Sequence, residues 1–331
     1  MQNEAFMEIV SYFRYMVCPI ILGSLGAWFV SRYGQRLKIM DLPTNRSSHV
    51  RNTPKGGSIG ILITFIFSSL LLEFSGFFWI PVVFLSLVCL LGDRVDLPIS
   101  FRLFVQTLCT VIVLIFYFFQ TGSGHYALFP LMVLFIVGTA NFYNFMDGID
   151  GIAGISAVLS FGLLGFFIHS IQADVRFSLL ALSIAFSSLA FLFFNLPAAR
   201  VFMGDVGSVF LGFVFALIVI FVARDIADFF CMTGFLFLFY MDELTTMAIR
   251  LKKKESLLKA HRRHLYQILA NEMGKDHWKI SSGYGACQLI IGSAAFFLRS
   301  YGIGLMFLFY AVCGMVFISF SYMIRKKAFD L

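Results

Sequence analysis

The chain has 331 residues, of which 60% are apolar and 13% are charged, and its mean hydropathy is +0.88. Because soluble domains are about 45–50% apolar and about 25% charged, this composition excludes a soluble enzyme, a secreted disulfide scaffold and a disordered chain. The net charge of +7 does not indicate a nucleic-acid partner. It is explained by basic loops, which in membrane proteins lie against anionic membrane lipids. The sequence predicts a polytopic integral membrane protein.

Long unbroken apolar runs indicate membrane-spanning helices rather than the alternating strands of a barrel. We predict an all-α fold with eleven spans, at residues 13–30, 58–75, 76–91, 102–120, 127–145, 152–171, 177–195, 207–223, 229–249, 283–299 and 303–323. At about 20 residues each, these spans use about two-thirds of the chain. This favours a single transmembrane catalytic domain over residues 1–331.

Lys and Arg are distributed unequally between the two sides of this topology. With the N-terminus outside, 21 of the 25 basic residues fall in inner segments, namely 31–57, 92–102, 196–206, 250–282 and 324–331. Because cytoplasmic loops carry the excess of Lys and Arg, we predict a periplasmic N-terminus and a cytoplasmic C-terminus. The six cysteines form no C-x-x-C pair and are interpreted as small core residues.

Acidic residues gather at the inner ends of several predicted spans. They are Asp93 and Asp96 after 76–91, Asp147 and Asp150 after 127–145, and Asp205 before 207–223. Taken singly, each is equally well explained as a solvated helix end. Three loops that bring carboxylates to one membrane surface favour a divalent-metal site, because carboxylate and amide oxygens are hard ligands suited to Mg²⁺.

Two motifs add amides and glycines to these carboxylates. In N-F-Y-N-F-M-D-G-I-D-G, which begins at Asn141, the side chains of Asn141 and Asn144 share a helix face. A helix-terminating turn explains the glycines but not the two amides, because buried amides cost free energy unless they are hydrogen-bonded. In F-M-G-D-V-G-S, which begins at Phe202, a turn opens onto a helix N-terminus, where anions bind readily.

Two basic segments lie on the same predicted side. The first is His261-Arg262-Arg263-His264, followed by Leu-Tyr-Gln. A topology-setting basic run explains its arginines alone, and a zinc site lacks further ligands nearby. Arg and His opposite acidic metal ligands suit a pyrophosphate better. The second segment runs from 41 to 57 and offers further cations to a phosphate or lipid headgroup, namely Arg46, His49 and Lys55.

Together these four segments resemble those of the polyprenyl-phosphate N-acetylhexosamine-1-phosphate transferases (bacterial glycosyltransferase family 4). The resemblance covers essentially the whole chain and is carried by N-x-x-N-x-x-D-G-I-D-G, F-M-G-D-x-G-S and A-H-R-x-H-L-Y-Q. It implies transfer of a sugar-1-phosphate from a UDP-sugar to undecaprenyl phosphate, with release of UMP, at the cytoplasmic face of a bacterial inner membrane. The loop D-x-P-x-x-R-S-x-H…P-K-G-G looks closer to the surface-polysaccharide branch, which initiates O-antigen and lipopolysaccharide synthesis, than to the peptidoglycan branch.

The resemblance also implies roles for individual residues. It implies Mg²⁺, with Mn²⁺ as an alternative, held by Asp205 and Asn144, and an active site formed by the loops 31–57, 92–102, 146–151, 196–206 and 250–282. The predicted catalytic residues are Asp93, Asp96, Asp147, Asp150, His261 and His264. The predicted substrate-binding residues are Asn141, Asn144, Arg46, His49, Lys55, Arg102, Arg262, Arg263 and Asp242.

Two positions, Gly92 and Asp242, each allow two interpretations. Family members usually carry D-D-x-x-D after the third span, but Gly92 stands here where the first Asp is expected. Either Asp93 suffices or activity is reduced, and we favour the first. Asp242 interrupts span 229–249; an ionisable group at membrane depth indicates function by default, while an ordinary interfacial role is the alternative.

A transporter or flippase is the main competing hypothesis. Such proteins place ionisable groups near the bilayer midplane and show repeated halves, whereas here the polar residues gather on one face and no repeat is visible. The second competing hypothesis is a catalytically weak relative of the family, because Gly92 replaces the expected Asp. The donor sugar (GlcNAc, GalNAc, QuiNAc or FucNAc), the pathway and the oligomeric state, a homodimer included, stay open.

Overall fold

The structure, a computed structural model, describes residues 2–43, 48, 51–95, 97–122, 124, 126–256 and 262–329, with side chains in the first helix described from residue 13 onward. Four residues that the sequence singled out lie outside the described residues: Arg46, His49, Asp96 and His261.

Helices make up 79% of the structure and strands almost none of it, which confirms the all-α prediction. The helices are α1 Gln2–Tyr33, α2 Ile59–Leu71, α3 Gly76–Gly92, α4 Ile99–Thr121, α5 Phe129–Phe145, α6 Ile152–Ser170, α7 Val175–Asn195, α8 Asp205–Val222, α9 Ile226–Thr233, α10 Phe237–Lys252, α11 Leu265–Asn271, α12 His277–Leu298 and α13 Ile303–Phe329. A two-stranded antiparallel ribbon, β1 Met40–Asp41 with β2 Thr53–Pro54, lies between α1 and α2.

Eight segments of the described chain are long and apolar enough to cross a membrane. This confirms a polytopic membrane protein. Two further apolar helices, α2 and α3, are shorter, with 13 and 17 residues. The count of eleven spans and the orientation of the termini stay predictions.

The segment 229–249, predicted as one continuous span, is interrupted. A 3₁₀ turn at Gly234–Leu236 separates α9 from α10. The side chain of Gln288 bonds both sides of the turn, accepting from the N–H of Leu238 (3.1 Å) and donating to the carbonyl of Gly234 (3.1 Å). These bonds replace part of the missing helical ladder. Because apolar residues flank the turn on both sides, hydropathy alone did not reveal it.

The most enclosed helix is α8, whose residues from Val206 to Ile220 are all buried. It packs against α3 and α5, and all three helices have an end at the same side of the bundle. The carboxylate that opens α8, Asp205, is therefore held by the best-packed element of the fold.

Candidate active site

A cavity of about 270 Å³ lies where α3 and α5 end and α8 begins. It brings together carboxylates from all three predicted acidic loops, together with Lys55 and Asn144. Its lining is Asp41, Lys55, Asp93, Asn144, Asp147, Gly148, Ile149, Asp150, Asn195, Phe202, Gly204, Asp205, Gln267 and His277.

Asp93 joins the end of α3 to the start of α8. Its carboxylate accepts hydrogen bonds from the backbone N–H groups of Asp205 (3.2 Å) and Val206 (3.4 Å). A carboxylate at a helix N-terminus is stabilised both by these bonds and by the helix dipole. The two acidic loops are thereby fixed to each other.

Gly204 permits this contact. Its backbone has φ +78° and ψ 165°, a region that only glycine adopts readily. A Cβ at this position would lie 2.7 Å from the Oδ2 atom of Asp93 and 2.7 Å from the backbone nitrogen of Gly56. The glycine of F-M-G-D is thus required for the close approach of three chain segments.

We expect Gly204→Ala to destabilise the protein by about 1–3 kcal/mol through backbone strain alone, and to lower activity because Asp93 and Asp205 separate. Thermal unfolding in detergent measures the first effect. Gly122→Ala is the control, since Gly122 also has a positive φ but a Cβ at its position would meet no atom within 4 Å. Equal losses of stability in the two variants would contradict a specific role for the contact between Gly204 and Asp93.

Two basic side chains, which belong to different segments of the chain, form ion pairs with carboxylates of the site. A guanidinium nitrogen of Arg102 in α4 lies 2.5 Å from the Oδ2 atom of Asp205, and Lys55 lies 3.1 Å from Asp41. Burial opposes the charge of Lys55, but the carboxylates of Asp41, Asp93 and Asp205 together outweigh it and raise the pKa of Lys55 above its ordinary value. Lys55 is therefore charged at neutral pH.

Backbone pairing places Lys55 beside the start of α8. The N–H of Phe202 donates to the carbonyl of Pro54 (2.8 Å), and the N–H of Gly57 donates back to the carbonyl of Phe202 (2.9 Å). The loop P-K-G-G and the motif F-M-G-D are thus neighbours, although about 150 residues separate them along the chain.

The carboxylates of the cavity destabilise one another's ionised forms. Burial, followed by the nearby charges of Asp205 and Asp93, raises the pKa of Asp147 to about 8. Burial and the charge of Asp205 likewise raise the pKa of Asp93 to about 7, against the opposing effect of its backbone hydrogen bonds. Such crowding of negative charge is typical of a site that binds a cation.

The raised pKa of Asp147 predicts a pH-dependent stability. Because its folded-state pKa of about 8 exceeds the ordinary value near 4, its contribution is fully present below pH ~4 and lost as the pH rises through about 8. We expect Asp147→Asn to melt above the wild type at pH ~8.5 and alike at pH ~3.5, in thermal scans with a chelator. Asp276→Asn, an exposed control, should show no such gain; a gain there would contradict the interpretation.

Asn144 and Asp205 are the residues that could hold a metal. In the part of the chain that the structure describes, no three His, Cys, Asp or Glu side chains form a closed metal-binding group. The Oδ1 atom of Asn144 accepts from the Ser208 hydroxyl (2.6 Å), and a carbonyl oxygen keeps a second lone pair. A carboxylate and an amide oxygen fit Mg²⁺, which takes few protein ligands and fills its shell with water and phosphate oxygens.

The other side of the cavity carries amide and imidazole side chains beside one carboxylate, Asp150. Asp150 accepts from the N–H of Ala199 (3.2 Å) and lies 3.4 Å from the Nδ1 atom of His277. Asn195 accepts from the N–H of Gly151 (2.7 Å) and donates to the carbonyl of Val201 (3.0 Å). These bonds fasten the loop 146–151 to the segment that follows α7.

Several predicted site residues do not line the cavity. Asn141 donates to the side chain of Gln106 (2.6 Å). His264 is 2% exposed, and burial, reinforced by nearby arginines, lowers its pKa to about 3, so the imidazole is neutral. Asp242 is fully buried. Arg262 and Arg263 form ion pairs outside the cavity, with Glu272 and Glu255.

Sequence reasoning did not assign roles to several lining residues. These are Asp41, Asn195, Phe202, Gln267 and His277. Asn195 offered a signal, because it is an amide at the end of an apolar helix, as Asn141 and Asn144 are. His277 offered none, since it opens α12 outside every motif.

The family model described as Glycosyl transferase family 4 matches residues 76–223, a segment that contains Asp93, Asn144 and Asp205. Over 259 residues the chain is 26% identical to the undecaprenyl-phosphate alpha-N-acetylglucosaminyl 1-phosphate transferase of Thermotoga maritima, covering 76% of this chain and 78% of that protein. It is 24% identical over 231 residues to the probable undecaprenyl-phosphate N-acetylglucosaminyl 1-phosphate transferase of Bacillus subtilis, covering 64% and 63%.

A shorter match joins the chain to the peptidoglycan branch. It is 34% identical over 112 residues to the phospho-N-acetylmuramoyl-pentapeptide-transferase of Wolbachia sp. subsp. Drosophila simulans, covering 34% of each chain. The helical bundle and its acidic cavity define a polytopic membrane protein with a polar site at one end. Over residues 76–223 the chain is similar to glycosyl transferase family 4, and two of the relatives it matches are named as undecaprenyl-phosphate N-acetylglucosaminyl 1-phosphate transferases.

Proposed function

We propose that this protein transfers an N-acetylhexosamine-1-phosphate from a UDP-sugar to undecaprenyl phosphate, giving an undecaprenyl-diphospho-sugar and UMP. The observation that carries the proposal is the convergence of carboxylates, amides and Lys55 in one cavity at a single end of a membrane bundle, where Arg102 pairs with the carboxylate of Asp205. The names of the relatives supply the class of acceptor and of transferred group.

The reaction requires little covalent chemistry from the side chains of the protein. An oxygen of the lipid phosphate forms a bond to the phosphorus that carries the sugar, and the bond from that phosphorus to UMP breaks. Because both substrates are anionic, their mutual repulsion is a large part of the barrier. Positioning and charge neutralisation therefore supply the stabilisation, and Lys55 and Arg102 are the described cations nearest the carboxylates.

We infer that Asp205 and Asn144 hold Mg²⁺, or Mn²⁺ in its place, when the donor is bound. The mutual repulsion of the carboxylates, visible in the raised pKa values of Asp93 and Asp147, fits a site that binds a cation. Bound metal would neutralise diphosphate charge. Arg102 pairs with Asp205, and a metal on that carboxylate would leave the guanidinium available to a substrate phosphate.

The proposed setting is the cytoplasmic face of a bacterial inner membrane. The excess of Lys and Arg in the predicted inner loops favours that side for the cavity, where a soluble nucleotide sugar can meet a lipid phosphate. The product would initiate O-antigen or another cell-surface polysaccharide. Membrane lipids surround the bundle, and a homodimer is compatible with this scheme.

The deciding experiment measures UMP release by detergent-purified protein given Mg²⁺, undecaprenyl phosphate and a panel of UDP-N-acetylhexosamines. We expect release that requires both lipid and metal, and the donor with the highest kcat/KM identifies the substrate. Mg²⁺ removal with a chelator should abolish release, and readdition should restore it. No release with any donor would overturn the proposal and favour a transport role.

A further inference from the structure

A buried polar cluster lies beside the cavity without lining it. Its centre is Asp242 in α10, whose carboxylate accepts from the backbone N–H groups of Leu265 (2.8 Å) and Tyr266 (3.4 Å). It also accepts from the hydroxyls of Tyr284 (2.8 Å) and Thr246 (3.4 Å). Four donors occupy the lone-pair positions that a carboxylate offers, so Asp242 orders the start of α11 and has no position left for a substrate.

Tyr266 connects this cluster to the acidic loop. Its side chain is fully buried, and its hydroxyl donates to the carbonyl of Phe145 (2.7 Å), the last residue of α5. A Cβ at Gly148 would lie 2.3 Å from the same hydroxyl oxygen. The hydroxyl therefore contacts both the start and the middle of the segment that carries Asp147 and Asp150.

The C-terminal helix supports the cluster from the far side. A guanidinium nitrogen of Arg325 in α13 donates to the hydroxyl of Thr246 (3.1 Å), which in turn donates to Asp242. A second nitrogen of Arg325 donates to Ser321 (3.0 Å). Buried polar networks of this kind rigidify their surroundings when every member is bonded.

We propose that Asp242 is a positioning residue: it fixes Tyr266, and Tyr266 fixes the loop 146–151 against the donor side of the cavity. The donor side is the one with the amide and imidazole side chains of Asn195, Gln267 and His277, whose hydrogen-bonding groups suit a nucleoside or sugar. The cations lie on the side of Asp205. The kinetic consequence rests on the proposed transferase function, whereas the consequence for the loop does not.

The test compares two variants that each remove one hydroxyl, the first inside the cluster and the second outside it. Tyr266→Phe removes the bond to Phe145, while Tyr310→Phe removes the bond from the Tyr310 hydroxyl to the carbonyl of Phe230 (3.1 Å) and leaves the cluster intact. We expect Tyr266→Phe to raise the KM for the UDP-sugar about tenfold, as for loss of one buried hydrogen bond, with the KM for undecaprenyl phosphate unchanged. Tyr310→Phe should leave both KM values at the wild-type level.

Hydrogen exchange of the peptide covering 146–151 gives a readout that needs no activity. Tyr266→Phe and Asp242→Asn should both speed this exchange about tenfold, and Tyr310→Phe should not. Equal behaviour of the two tyrosine variants, a matched rise in both KM values, or unchanged exchange in Asp242→Asn would overturn the proposal. A wild type that releases no UMP but shows the exchange pattern would refute only the transferase function.

Discussion

Asp205→Asn is expected to lower the rate of sugar-phosphate transfer about 100- to 1,000-fold, the usual loss when a preorganised electrostatic group is removed. Asp205 is the first residue of the most enclosed helix, and its carboxylate faces the cavity beside Arg102. The substitution keeps the shape of the side chain and removes its charge. Initial rates of UMP release over a Mg²⁺ titration measure the effect.

The control for this variant is Asp276→Asn. Asp276 is an exposed carboxylate that pairs with Lys279 outside the cavity, so its loss should leave the rate within about twofold of the wild type. Melting temperatures of both variants separate loss of chemistry from loss of fold. A full rate for Asp205→Asn, at any Mg²⁺ concentration, would remove this residue from the proposed metal site.

Asp93→Asn is expected to lower transfer about 100-fold, whereas Gly92→Asp should stay within about twofold of the wild type. Asp93 accepts from two N–H groups at the start of α8, and an asparagine would turn an NH₂ group toward one of them. A Cβ at Gly92 would meet only the side chain of Leu97, at 3.5 Å. Room therefore exists for the aspartate that the family usually carries.

The pair of variants decides between the two interpretations of Gly92. If Asp93 suffices, adding a second aspartate changes little and removing Asp93 is severe. A tenfold or greater gain in kcat for Gly92→Asp would instead show that Gly92 makes this chain a catalytically weak relative of the enzymes it resembles. Steady-state kinetics with both substrates, alongside thermal unfolding, is the measurement.

The sequence predicted the composition of one side of the cavity well. Carboxylates and amides at the ends of apolar runs stand out because nothing else in those runs is polar, which is how Asp93, Asn144 and Asp205 were found. Their mutual contacts were not predictable. The bond from α8 to Asp93 joins residues 112 positions apart, and hydropathy carries no information about which helix ends meet.

The basic motif shows the opposite case. The motif predicted a substrate contact for His264. The structure instead buries its imidazole outside the cavity, among Glu243, Tyr266 and neighbouring arginines. Asp242 was likewise singled out because burying an ionisable group at membrane depth costs free energy. In the structure, four hydrogen-bond donors to its carboxylate offset this cost. A sequence motif gives the identity of each residue, whereas the orientation of its side chain depends on tertiary packing.

The two sides of the cavity are built from different kinds of element. On the side that carries Asp205, the residues Asp93, Asn144 and Asp205 belong to the ends of long packed helices. On the donor side, Gln267 comes from a seven-residue helix and Asp150 from a loop. Long packed helices tolerate little change, but surface connections vary freely among relatives. Donor preference can thus diverge by exchange of short connecting segments while phosphate handling is inherited intact, which makes loop-swapped chimeras a practical route to new sugar specificities.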